Sequence, residues 1–127
     1  MSERAFGRWF SLASLAAIGL LAASAGADAR SDAKAAYQRG VAAHKRGDEA
    51  TAAREFASAD ASLPNTSALL AALQAVTKTD DAALAADLLE RKKREPDAKV
   101  AEAAAAAEGR FKDRLGWVHL DCGSAPT

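Results

Sequence analysis

The sequence predicts an all-α chain of antiparallel helix-turn-helix repeats, preceded by an N-terminal signal peptide and followed by a short strand or a disordered tail. Three observations carry this reading. Half of the 127 residues are apolar, and alanine, the strongest helix former, supplies much of that half among Lys, Arg, Glu and Asp. Two sharp stops, Gly47-Asp48 and Pro64-Asn65, cut the alanine-rich stretch into pieces of helix length. Small residues at Gly40, Ala52 and Ala59 surround one large side chain, Phe56, as close helix packing requires.

The first segment is a targeting signal. Arg4 and Arg8 precede an apolar stretch that ends in "ASAGA", with two A-x-A matches, so residues 1–27 read as a secretory signal peptide cleaved after Ala25 or Ala27. The alternative is an uncleaved membrane anchor, because residues 9–27 form nineteen uncharged positions, near the length that spans a bilayer. No cysteine directly follows this stretch, which argues against lipid attachment of the bacterial lipoprotein type. The helical domain is then 28–114, and the tail 115–127.

Within the domain, a first helix is expected over 32–46, capped by Ser31 or Asp32 and closed by Gly47, since glycine tolerates the left-handed conformation at a helix end. Asp48 caps a second helix that runs to about Ser62, where Pro64 and Asn65 stop it. Helices joined by so short a turn lie antiparallel. A second, degenerate pair begins near Ser67: "ALLAALQAV" offers Leu70 and Leu73, "TDD" makes the turn, and Ala85 and Leu89 follow on the returning helix. Pro96 breaks the chain again, and "AKVAEAAAAAEGRFKDRL" starts a further helix, expected to be a solvating cap. From Leu115 the period changes to two. Leu115, Trp117, His119 and Asp121 alternate with Val118, Leu120 and Cys122, as in a strand.

When a thirty-four-residue unit is numbered from Ala33, Gly40 takes the eighth place, Ala52 the twentieth, Phe56 the twenty-fourth, Ala59 the twenty-seventh and Pro64 the thirty-second. This pattern resembles the tetratricopeptide repeat. The usual aromatic of the fourth place is replaced by Ala36, with Tyr37 beside it, and the eleventh place is Ala43. The chain as a whole resembles secreted bacterial tetratricopeptide proteins whose helices lead into a small β domain of the PEGA type. The resemblance implies an interaction scaffold, in which the first helices of successive repeats line a concave groove that receives an extended peptide or a helix. The groove positions it implies are Lys34, Tyr37, Gln38, Val41, His44 and Lys45, then Ala68, Ala71, Ala72, Ala75 and Lys78. Tyr37 is the expected anchor, an aromatic with a polar tip. Tyr37 and Val41 occupy the first-repeat places of the lysine-asparagine clamp that some relatives use for a C-terminal carboxylate, so a partner's bare chain end is not the expected target.

Charge and chemistry narrow the function further. Seventeen basic residues balance seventeen acidic ones, and loss of the signal segment leaves the chain near neutral, so no overall field favours nucleic acid or an anionic membrane. A lone Cys122 forms no internal disulfide framework. His44 and His119 lack carboxylates at metal-ligand spacing, and His119 and Cys122 lie three apart on a strand, facing opposite sides. The Arg-Gly-Asp of 46–48 reads as the turn between paired helices, and the basic run 91–95 as a solvated helix end. The expectation is a protein partner, with no enzyme activity, cofactor or metal. Contact with a membrane follows only if residues 9–27 persist. Trp117, Val118 and Leu120 on an unpaired edge further predict self-association through 115–122.

Overall fold

A computed structural model describes residues 26–116 of the chain. Most of the signal segment and all of 117–127, including Trp117, His119 and Cys122, lie outside the described residues, and with them the expected strand and its self-association. The described residues form five helices and no strand. Helix α1 covers 26–45, and α2 is Glu49–Ser62. Then come α3, Thr66–Val76, α4, Ala82–Lys92, and α5, Ala98–Phe111. None of these helices is long and apolar enough to cross a membrane.

Each boundary has a local cause. Gly47 sits at φ 78°. Its N–H donates to the His44 carbonyl and that of Asp48 to the Ala43 carbonyl, both at 3.0 Å, which is the paired closure that a left-handed glycine permits. Asp48 then caps α2, its carboxylate accepting from the Thr51 N–H. Asn65, Asp81 and Asp97 cap α3, α4 and α5 in the same way. Asn65 therefore both follows one helix and starts the next. At the front of α1 the expectation is corrected: Ser31 and Asp32 lie inside the helix rather than at its cap. Residues 27–30 hold two alanines, an aspartate and an arginine, and nothing there interrupts propagation.

The helices pack as consecutive antiparallel hairpins. Arg39 pairs with Glu55 and His44 with Glu49, so positions fall along α2 as they rise along α1. Helix α2 packs on α3, α3 on α4 and α5, and α4 on α5. These pairs are consistent with a helical repeat. One core runs through them, with Leu73, Val76, Leu88, Val100 and Phe111 fully buried. A smaller cluster of Ala36, Ala59 and Ala68 lies where α1, α2 and α3 meet.

Three expectations change at this level. Helix α5 is no mere solvating cap, because Val100, Ala104, Ala107 and Phe111 join the common core. Leu115 belongs to the turn that closes α5: its N–H donates to the Phe111 carbonyl at 2.9 Å, and its side chain packs on the core. Arg91 is not solvated like the rest of the basic run. Its guanidinium donates to the Ala57 carbonyl, to buried Asp60 and to Asp87, tying α4 to the end of α2.

Candidate functional site

The site is built from one contact. Gly40 of α1 lies against Phe56 of α2 so closely that a Cβ at residue 40 would stand 2.7 Å from two ring carbons. That approach lets Phe56 fill the space between the helices, where it is 5% exposed. Tyr37, one turn before Gly40, rests its ring on Phe56 with centroids 5.1 Å apart and planes tilted by 58°. Such a tilted pair is a favourable aromatic geometry. Tyr37 thereby stands on a rigid base with its outer edge in solvent.

Two hollows meet at Tyr37, each about 570 Å³. The first lies between α1, α3 and α5. Of the eleven expected groove residues, Tyr37, Val41, His44, Lys45, Ala71, Ala75 and Lys78 line it together. The second lies toward the start of α1 and the end of α2, and it takes Lys34 and Gln38, with Ala68 in its wall. Ala72 does not belong to either. It is fully buried, because one residue along α3 turns the side chain about 100° away, from the open face into the core.

The expected packing residues fall into two groups. Gly40, Ala52, Phe56 and Ala59 are buried at the contact of α1 with α2, whereas Pro64 is exposed in the connection to α3. Sequence reasoning missed several lining residues, namely Gln74, Thr77, Ala103, Ala106 and Glu49. Glu49 matters most of these. Its Oε1 accepts from His44 Nδ1 at 2.9 Å and lies 3.6 Å from Lys78 Nζ, which links α1, α2 and α3 at one end of the hollow. Its Oε2 is buried and has no hydrogen-bond partner among the described residues. Glu49 is the first residue after the Asp48 cap, and only the folded turn discloses its place.

The arrangement offers a surface of mixed character. Its floor is alanine, Val41 and the Tyr37–Phe56 pair, and its rim is lysine, histidine and glutamine. Among the described residues, no group of three or more His, Cys, Asp or Glu side chains is placed to hold a metal ion. No protein-family model, curated protein or solved structure matches this chain.

Proposed function

We propose that the chain is an exported, tetratricopeptide-like scaffold that binds an extended peptide or a helix of a protein partner on the face formed by α1, α3 and α5, and that it works by binding rather than by catalysis. The observation that carries this reading is Tyr37. It is 36% exposed, braced from below by Phe56, and it separates two hollows on one continuous face. A rigid aromatic with exposed area between concavities has the features of an interface anchor. The spacing of Gly40, Ala52, Phe56, Ala59 and Pro64 supports the repeat assignment independently.

Selection of random peptides against the full-length chain tests the binding reading. Enriched peptides are expected to lose affinity for Tyr37→Ala and Ala71→Arg while binding Glu90→Ala, on the outside of α4, unchanged. Failure to enrich any peptide, or indifference to the first two substitutions, overturns it. The pattern of residues 1–27 supports export to a periplasm, with an inner-membrane anchor as the rival, and mass spectrometry separates them: loss of Met1 through Ala25 or Ala27 means cleavage, and a retained Met1 means an anchor.

A further inference from the structure

The charges of the chain are not spread evenly over its faces. Seventeen basic and seventeen acidic residues balance overall, yet the two hollows are lined by Arg30, Lys34, Lys45 and Lys78 against one acid, Glu49. Seven of the other acids have structural duties elsewhere. Asp48, Asp81 and Asp97 cap helices, Asp60 and Asp87 hold Arg91, Glu55 holds Arg39, and Asp80 holds Arg110 and Arg114. Lys34 and Lys45 form no ion pair among the described residues, so their charges face the hollows unneutralised. On the α5 side Lys99 and Glu102 lie one turn before Ala103 and Ala106 and offset each other.

We propose that the partner of this face is an acidic segment of polypeptide in extended conformation; this rests on the groove reading above. The length fits, since α1 from Arg30 to Lys45 runs about 22 Å at ~1.5 Å per residue, the span of roughly seven extended residues at ~3.3 Å each. In an extended chain alternate side chains point to opposite faces, so apolar residues reach the alanine and tyrosine floor while acidic ones turn toward the lysine rim. Polypeptide fits this face better than a phosphate chain does, because its apolar side chains bury the floor of alanine, Val41 and Tyr37. Tyr37 is moreover the one exposed aromatic among the lining residues, where single-stranded nucleic acid binding relies on several stacking rings.

Fluorescence anisotropy with three labelled pools of end-capped octapeptides tests this on the full-length chain. One pool alternates glutamate with mixed apolar residues, and the others replace glutamate by glutamine or lysine. The glutamate pool is expected to bind at least tenfold more tightly than the glutamine pool at low salt and to weaken as salt rises. Each of Lys34→Gln, Lys45→Gln and Lys78→Gln is expected to cost about threefold, as for an exposed charge pair. Glu49→Ala is expected to strengthen binding of the glutamate pool about threefold, because it removes the one acid of the lining and frees Lys78. A glutamine pool that binds as well as the glutamate pool overturns the acidic preference and leaves the groove reading standing. Absence of binding by all three pools overturns the groove reading itself. A loss of affinity on Glu49→Ala overturns the charge argument, and equal binding of a single-stranded oligonucleotide overturns the assignment to polypeptide.

Discussion

A methyl group at residue 40 would meet the Phe56 ring at 2.7 Å, closer than packed carbons tolerate, and the ring is enclosed in the core, where it is 5% exposed. Gly40→Ala is therefore expected to destabilise the protein by about 1 to 2 kcal/mol, overpacking outweighing the gain of about 1 kcal/mol in helix propensity. Gly40→Leu does more damage by the same route. Phe56→Ala is expected to cost about 3 to 5 kcal/mol, the range for a truncated core aromatic. The two sites are coupled: with Phe56 already alanine, Gly40→Ala becomes neutral or stabilising, and urea melts of the four variants read this out directly. Additive effects would mean that the two residues do not touch. This contact was legible in the sequence because size carries it, one glycine facing one phenylalanine across a marked turn. Glu49 was not legible, since its place in the hollow depends on the turn's geometry and not on its residue type.

At the scale of elements, caps and cross-links decide the boundaries. Thr51, through its side chain and backbone N–H, holds the Asp48 carboxyl below its usual range. A depressed folded-state value means that this stabilisation is present above the ordinary carboxylate range near pH 4 and is lost as pH falls through the folded value. Asp48→Asn caps at any pH, so it is expected to match the parent at pH 7 and to lose less stability below pH 4, as measured by denaturant melts at each pH. An equal loss in both would contradict the cap. Arg91 joins α4 to buried Asp60 and to the Ala57 carbonyl. Arg91→Ala is expected to cost about 1 to 3 kcal/mol by leaving charged hydrogen bonds unmade, whereas Lys92→Ala changes little. That link spans thirty-one residues, and no local pattern announces it. The helix stops were readable because Gly47, Pro64 and Pro96 act locally. The inward face of α5 was not, because a run of alanines has no periodicity to show which side packs.

At the scale of the molecule, α5 completes both the core and the open face. Val100 and Phe111 are fully buried, and Ala103 and Ala106 form one side of the larger hollow. Repeat arrays need about three units to bury a continuous core, and two hairpins plus α5 approach that minimum. A chain ending at Asp97 is expected to lose cooperative thermal unfolding, as circular dichroism would record, with Leu73 and Leu88 left uncovered. A sharp melt at the parent temperature would mean that α5 is dispensable. The face that these helices share is the center of the functional account, and amide chemical-shift mapping reports on it without any substitution. Titration of the isotope-labelled full-length chain with the glutamate octapeptide pool is expected to move the amides of Tyr37, Val41, Lys45, Ala71, Ala75 and Lys78 and to leave those of α4 in place; shifts concentrated on the outside of α2 and α4, or none at saturating peptide, would contradict it.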